Sequence, residues 1–298
     1  MRRRSLLLLI PLLVLAAACR ERPARAGVLA YRDDWGRRVA LAAPARRIVS
    51  LSPTTTELLF TMGLGARLVG RTHWYDWPAE ARAVPDVGDG LAPNVEAVAA
   101  QRPDLVLMYA SEANRGALER LEALHIGVAV LKLDRAEDLR HAAIVAGTLA
   151  GQMAAADSFI ARFDRDVAAA GAANLGRPRV RVYVDVEPNP PITVGGGSYL
   201  SLLLGLAGAV NVFDDVAAPS APVSLETIVA RNPDVVVTLG GSDAASRLTA
   251  LGGWSAVRAV REHRVIALDP SLFGRLSPRL PEAVRVLAAD LRRVGQAR

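Results

Sequence analysis

The strongest constraint on the fold is a sequence pattern that occurs twice, 130 residues apart. Residues 94–107 read NVEAVAAQRPDLVL and residues 224–237 read SLETIVARNPDVVV. Each copy begins with a short polar residue that can cap a helix, has a glutamate two positions later, and reaches a Pro-Asp pair where the helix must end. An apolar strand follows each pair. A helix–strand unit present once in each half of the chain predicts two similar lobes with a cleft between them.

The first nineteen residues are typical of an export signal. Arg2, Arg3 and Arg4 precede an apolar run over 5–18 that is short for a membrane span. Small residues before Cys19 resemble a bacterial lipoprotein cleavage site, so we expect Cys19 to be lipidated and the protein to be anchored outside the cytoplasm. The alternative is a soluble exported protein that loses Cys19 with its signal. Residues 20–44 are predicted to be a tether and N-terminal segment.

The basic charge of the chain does not indicate nucleic-acid binding. The formal net charge is +6, but Arg2, Arg3 and Arg4 belong to the predicted signal, and the other arginines are scattered rather than gathered into a stripe. Cys19 is the only cysteine, which excludes an intrachain disulfide. Four dispersed histidines show no metal-ligand spacing.

Helical and strand patterns alternate through the remaining chain, which predicts an α/β fold with mostly parallel sheets. An N-terminal lobe is expected over 45–151 and a C-terminal lobe over 176–298, joined by one long helix within 152–175. Because that connector is stiff, a large hinge closure is not expected. Strands are predicted at 47–51, 66–71, 104–109 and 127–132 in the first lobe, and at 179–186, 192–195, 234–239 and 264–268 in the second.

Six short motifs occur in order along the chain: RIVSLSPTTTEL at 47–58, YDWP at 75–78, NVE at 94–96, NPPITVG at 189–195, VSLE at 223–226 and FGRLSPR at 273–279. Together they resemble the periplasmic binding proteins of metal-chelate ABC importers, the class with a helical backbone, and within it the cobalamin branch. The resemblance extends from about Arg47 to the C-terminus. It implies capture of a metal chelate outside the cytoplasm and delivery to a permease dimer with its ATPase, by a monomer without a resident cofactor.

Glu96 and Glu226, the repeated glutamates, have two compatible interpretations. Each carboxylate complements the positive end of its own helix. The resemblance adds a second role, in which one glutamate on each lobe contacts arginines of a two-fold symmetric permease. We favour docking because both copies keep the glutamate while neighbouring positions differ.

The resemblance also implies a ligand site at the strand ends between the lobes. Trp74 and Tyr109 fall where the cobalamin branch has ring-stacking aromatics, and Arg275 matches a retained arginine. Arg275 could instead cap a helix or pair with an acid. The predicted ligand-binding residues are Thr54, Trp74, Tyr75, Tyr109, Ser271, Leu272, Phe273 and Arg275.

The chain departs from the cobalamin pattern at several positions. Other aromatics of that branch fall on Gly90, Val186 and either Ser220 or Ala221. Haem or a ferric siderophore therefore remains an alternative ligand, with His73, Tyr75 or Tyr109 as conceivable iron ligands. A lipid-anchored scaffold that has lost its ligand is a further alternative.

Sequence signatures of enzymes are absent from the chain, which has no glycine-rich phosphate loop, nucleophile elbow or zinc-binding His pair. Gly195, Gly196 and Gly197 precede a helix cap and could cradle an anion, but a tight strand–helix turn in the cleft floor is the favoured interpretation. We therefore expect a binding protein rather than an enzyme.

Overall fold

The computed structural model describes residues 29–74, 77–239 and 243–296. Cys19, the predicted signal and Tyr75 lie outside the described residues, as do residues 20–28 of the predicted tether and N-terminal segment. The described chain begins with an antiparallel hairpin, absent from the sequence-based prediction, made of β1 (Leu29–Arg32) and β2 (Arg38–Leu41).

The first lobe contains a four-stranded parallel sheet in the order β4-β3-β5-β6. Helices alternate with the strands because each parallel pair needs a crossover connection. The elements are β3 (Ile48–Ser50), α1 (Pro53–Thr61), β4 (Leu68–Arg71), α2 (Val95–Ala100), β5 (Leu105–Tyr109), α3 (Arg115–Ala123), β6 (Gly127–Leu131) and α4 (Ala136–Leu149).

A 20-residue helix, α5 (Met153–Ala172), connects the lobes. Phe159 and Phe163 are buried on one face of α5, and their rings stack with centroids 5.6 Å apart. The same core cluster includes buried residues of both lobes, so α5 is part of a continuous core rather than an isolated linker.

The second lobe repeats the strand order of the first, as β10-β7-β12-β13, again all parallel. A small antiparallel sheet, β11-β9-β8, is added to it. The elements are β7 (Val180–Asp185), β8 (Glu187–Pro188), β9 (Pro191–Val194), α6 (Tyr199–Leu206), β10 (Ala209–Asn211), β11 (Ser220–Pro222), α7 (Leu225–Arg231), β12 (Val235–Thr238), α8 (Ala244–Ala250), α9 (Arg258–Arg261), β13 (Val265–Ala267), α10 (Pro270–Phe273) and α11 (Leu280–Gln296). The predicted α/β fold with two similar lobes is confirmed.

The repeated sequence forms the units α2–β5 and α7–β12. The side-chain oxygen of Asn94 accepts a hydrogen bond from the backbone N–H of Ala97 at 2.9 Å. In the second copy, the Ser224 hydroxyl oxygen accepts one from the N–H of Thr227 at 3.2 Å. These bonds cap the two helices as the sequence predicts.

The aspartate of each Pro-Asp pair also has an equivalent role in the two lobes. Asp104 Oδ2 accepts the N–H of Arg47 at 2.9 Å, and Asp234 Oδ2 accepts the N–H of Arg181 at 3.2 Å. The arginine side chains donate in turn to carbonyls at the end of the preceding helix, at Gln101 and Arg231 respectively. The duplication therefore includes the first strand of each lobe, where sequence similarity alone is weak.

No helix within the described residues is long and apolar enough to span a bilayer.

Candidate functional site: a cleft between the lobes

A cavity of about 500 Å³ lies at the carboxyl edge of the first lobe's sheet and is bordered by α10 of the second lobe. The chain reaches it where β3, β4 and β5 end, which is the edge at which open parallel sheets bind ligands. Five of the eight predicted ligand residues line it: Thr54, Trp74, Tyr109, Ser271 and Arg275. The structure therefore brings together side chains that are more than 200 positions apart in sequence.

Trp74 is the most conspicuous aromatic of the cleft because 62% of its surface is exposed. Its indole Nε1–H donates to Asp89 Oδ1 at 3.1 Å, and its ring lies 4.7 Å from that of His73. The pKa of Asp89 is lowered mainly by the backbone N–H of Leu91, with a smaller effect of the Trp74 indole. A large apolar ring held at the rim of a cavity is suited to contact a flat ligand.

Tyr109 contributes its ring to the cavity but has its hydroxyl engaged elsewhere. The hydroxyl donates to Asp134 Oδ1 at 2.9 Å. Burial, followed by the hydrogen bond and charge of Asp134, raises the pKa of Tyr109 to about 12. The raised pKa makes loss of the phenol proton harder than in an ordinary tyrosine, which disfavours Tyr109 as a ligand for iron.

Arg275 reaches the cavity from the second lobe while it pairs with a buried acid of the first. Its Nε and Nη2 donate to Glu57 Oε1 at 3.0 and 2.7 Å. The Ser277 hydroxyl donates to Glu57 Oε2, and Arg279 Nε lies 3.6 Å from the same oxygen. Arg275 therefore lines the cavity and pairs with an acid at the same time.

Glu57 is the site residue that sequence reasoning missed. Its side chain is fully buried in α1, and burial raises its pKa, while Ser277, Arg275 and Arg279 act in the opposite direction. Thr54 lies about one turn earlier on α1, and its hydroxyl donates to the carbonyl of Leu276 at 2.6 Å. This hydrogen bond is a second link between the two lobes. The sequence signal that could have identified Glu57 is its position as the single charged residue in TTTELL at 54–59. A carboxylate is rarely buried without a partner, so an acid at a core position of a helix predicts a buried pair.

Leu272 and Phe273 pack into the core instead of lining the cleft. Their side chains are 8% and 1% exposed, and the Phe273 carbonyl accepts from the Tyr199 hydroxyl at 2.7 Å. The short helix α10 turns these two side chains into the core, whereas Ser271 of α10 and Arg275, which follows the Gly274 C-cap, line the cavity. The sequence-based assignment of Leu272 and Phe273 as ligand contacts is therefore not reflected in the cavity lining.

Gly90 lies where an aromatic of the cobalamin branch was expected, and its backbone explains the glycine. A Cβ at this position would be 2.3 Å from the carbonyl oxygen of Leu51. No side chain fits there unless the backbone moves. The remaining departures do not add aromatic rings, since Val186 is an exposed aliphatic residue and Ser220 and Ala221 lie on β11.

The glycine run at 195–197 is explained by close packing. A Cβ on any of the three would lie 2.2–2.4 Å from carbonyl oxygens of the segment 214–218. This supports the interpretation as a tight turn, which leads into the Ser198 cap of α6. These glycines do not line the cleft cavity.

Glu96 and Glu226 are exposed in the first turns of α2 and α7. Both helices lead directly into strands of the parallel sheets, so both begin near the carboxyl edges that carry the cleft. The N–H of its own backbone and the Ser224 hydroxyl lower the pKa of Glu226. Within the described ranges, no three His, Cys, Asp or Glu side chains are grouped to hold a metal ion.

Comparison with known proteins places this architecture in context. A family of periplasmic binding proteins matches residues 48–272. An uncharacterised ABC transporter substrate-binding lipoprotein of Bacillus subtilis, YvrC, is 31% identical over 87% of this chain and 84% of its own. A vitamin B12-binding protein of Yersinia pestis is 30% identical over 84% of this chain and 88% of its own.

Among solved structures, the periplasmic haem-binding protein BhuT, in complex with two haems, superposes with a TM-score of 0.74. It is 26% identical, and the match covers 85% of this chain and 99% of BhuT.

Proposed function

The chain belongs to the periplasmic binding protein family and is a substrate-binding protein of an ABC importer, and from this membership and its cleft we propose that it captures a metal chelate, cobalamin or a related corrinoid. The observation that supports the ligand class is the exposed Trp74 ring, which lines the same cavity as Arg275 of the other lobe. An apolar ring face with few polar groups is suited to a flat macrocycle that has polar substituents.

Corrinoids are favoured over haem by two observations. A relative that is 30% identical is a vitamin B12-binding protein. In addition, the Tyr109 hydroxyl donates to Asp134 and its pKa is raised, which disfavours it as a phenolate ligand for iron. The haem-binding protein BhuT has the same architecture, which makes haem, or a ferric siderophore, the second candidate.

The proposed ligand contacts are Thr54, Trp74, Tyr109, Ser271 and Arg275, and Tyr75 remains a candidate outside the described residues. The chelate is the cargo, with no resident cofactor and no catalytic step. The core buries Leu272 and Phe273, so we propose that these two position Ser271 and Arg275 and do not themselves contact the ligand.

Substrate-binding proteins of ABC importers deliver their cargo to a permease with its ATPase. We assign Glu96 and Glu226 to that docking, one on each lobe, because both are exposed on helices that begin near the cleft edge. We further propose that the protein acts as a monomer anchored through Cys19, in line with the lipoprotein YvrC. Nucleic acid is not among the partners we propose.

Isothermal titration of the chain without residues 1–19 tests the ligand class. The titrants are cyanocobalamin, cobinamide, hemin and a set of ferric siderophores. We expect saturable binding of the two corrinoids and weaker or no binding of the others. Binding of hemin or a siderophore alone would move the assignment to that class, and binding of none would favour the scaffold alternative.

A further inference from the structure

A second cavity, of about 660 Å³, lies at the carboxyl edge of the second lobe's sheet. Its walls are the end of β7, the β8–β9 hairpin and one side of α8. Val186, one of the positions where the resemblance placed an aromatic of the cobalamin branch, lines this cavity, whereas Asp185 was not among the predicted ligand residues. Asp185, the last residue of β7, forms part of its lining.

Asp185 is a buried acid with one oxygen unsatisfied. Its side chain is on the face of β7 that packs towards α8, and the residue is 2% exposed. Oδ2 accepts from the Thr238 hydroxyl at 2.9 Å, whereas Oδ1 has no hydrogen-bond partner among the described residues. A buried polar atom without a partner is costly, and such atoms in folded proteins usually mark a site completed by water or a ligand.

The internal symmetry of the fold places Asp185 at the position of a cleft residue. Ile48 of β3 pairs with Leu105, and Val182 of β7 pairs with Val235, where Leu105 and Val235 each directly follow a Pro-Asp pair. Counting three residues onward gives Leu51 in the first lobe and Asp185 in the second. Leu51 lines the first cavity, so the two cavities are at equivalent edges of equivalent sheets.

One ligand of moderate size could contact both cavities. Asp185 pairs with Thr238, and Thr238 pairs with Ala267 on the next strand. Two strand spacings place Asp185 roughly 10 Å from Ala267. The loop that borders the first cavity begins three residues later, at Pro270.

The charges around Asp185 favour a ligand group that donates a hydrogen bond over one that accepts it. Glu187 of the hairpin adds a second acid, and Arg247 of α8 is paired with Asp243 at 2.6 Å. On the same strand Tyr183 is buried, and its hydroxyl lacks a hydrogen-bond partner within the described part of the chain. Burial, and then the charge of Glu187, raise the pKa of Asp185 to about 6, which leaves it largely ionised at neutral pH.

We propose that this cavity is a second subsite of the ligand site, in which Asp185 accepts a hydrogen bond from an amide or ammonium N–H at the periphery of the chelate. The inference rests on the proposed function and adds a selection rule to it. Chelates that present N–H groups on this side bind well. Chelates that present carboxylates there are disfavoured, because a carboxylate cannot donate a hydrogen bond to Asp185 and is repelled by the charges of Asp185 and Glu187.

Two ligand pairs that differ only at the periphery test the rule. One pair is dicyanocobinamide, which bears amides, and dicyanocobyrinic acid, which bears carboxylates on the same ring. The other pair is hemin and its diamide. We expect wild-type protein to prefer the amide member of whichever pair it binds.

The variants are Asp185→Leu, which introduces the residue found at the symmetric position, and the isosteric Asp185→Asn. Loss of a hydrogen bond to a charged group predicts an affinity about 10- to 100-fold lower for the amide ligand in Asp185→Leu. Binding of the carboxylate member should be unchanged or tighter. Asp166→Asn, at an exposed position on α5, is the control for a lost negative charge and should bind as wild type.

A pH series guards against a folding defect in Asp185→Leu. Affinity of the wild type for the amide ligand should fall as pH decreases from 7.5 to 5, and affinity of Asp185→Asn should not. If both variants bind as the wild type does, the subsite is wrong and the proposed function stands. Equal loss for both members of a pair also overturns it, since Asp185 then acts through the fold. Absence of chelate binding by the wild type overturns both proposals.

Discussion

Glu57 of the first lobe and Arg275 of the second form a buried ion pair, with Arg275 Nη2 2.7 Å from Glu57 Oε1. The glutamate side chain is fully buried and that of the arginine is 16% exposed. Because Arg275 also lines the cleft, the pair fixes a ligand-facing side chain and joins the two lobes at the same point. The guanidinium of Arg279 lies over the Trp77 ring, with Cζ 5.1 Å from the ring centroid, and this cation–π contact adds to the junction.

Replacement of Glu57 should destabilise the protein strongly. Glu57→Ala leaves Arg275 and Arg279 without their shared acid, and removal of one partner of a buried pair typically costs about 3–5 kcal/mol. Urea unfolding measures the change. Glu112→Ala, at an exposed pair with Arg115, is the control and should leave the midpoint nearly unchanged. Equal midpoints for Glu57→Ala and the wild type would show that the junction contributes nothing to stability.

Trp74→Ala should weaken chelate binding by about 1–3 kcal/mol, the scale of one large ring contact, with little effect on unfolding. The matched control is Trp254→Ala, because Trp254 is only 2% exposed. Truncation of that core ring should cost about 3–5 kcal/mol of stability. Titration and thermal unfolding of both variants separate the two roles. A Trp74→Ala protein that binds normally but unfolds sooner would place Trp74 in the core.

Glu96→Lys combined with Glu226→Lys should abolish transport and leave chelate affinity intact. Both side chains are exposed, and two weak contacts made at once to a symmetric permease act with a high effective concentration. Stimulation of the transporter's ATPase is the measurement. Glu112→Lys, also exposed, provides the same charge reversal outside α2 and α7. If the double variant supports transport, the glutamates serve only their own helices.

Asp185 should make stability depend on pH between about 4 and 6. Its pKa is raised from 3.8 to about 6, so the folded protein retains a proton that the unfolded chain has released. The free energy of unfolding therefore falls as pH rises through this window. At pH 7.5, Asp185→Asn should be about 1–3 kcal/mol more stable than the wild type, and near pH 4 the two should converge. Asp166→Asn is the control, and parallel curves for Asp185→Asn and the wild type would contradict the expectation.

Cys19→Ser should release the protein from the membrane or leave its signal uncut. The reason is that lipid attachment needs the thiol of the predicted lipoprotein cysteine. Fractionation of cells that produce either form provides the measurement. Wild-type protein found entirely in the soluble fraction without lipid would support cleavage of an ordinary signal.

The sequence was sufficient to predict the two-lobed architecture because its signals are local. Helix caps at Asn94 and Ser224, the Pro-Asp stops and the apolar strands each depend on a few neighbouring residues, and their repetition implies the symmetry. The strands β1, β2, β8, β10 and β11 were not predicted, although β9 corresponds to the strand predicted at 192–195. The missed strands are two to four residues long, too short for an alternating pattern to stand out.

The composition of the cleft depended on tertiary structure. Trp74 and Arg275 could be named from motifs, but only the fold shows that Arg275 meets Glu57, that Phe273 turns into the core, and that Leu51 leaves no room for a side chain at Gly90. These outcomes depend on which groups from distant segments share a buried volume. Caps and periodicity are encoded by neighbours along the chain, whereas burial, ion pairing and steric room are properties of segments that meet only after folding.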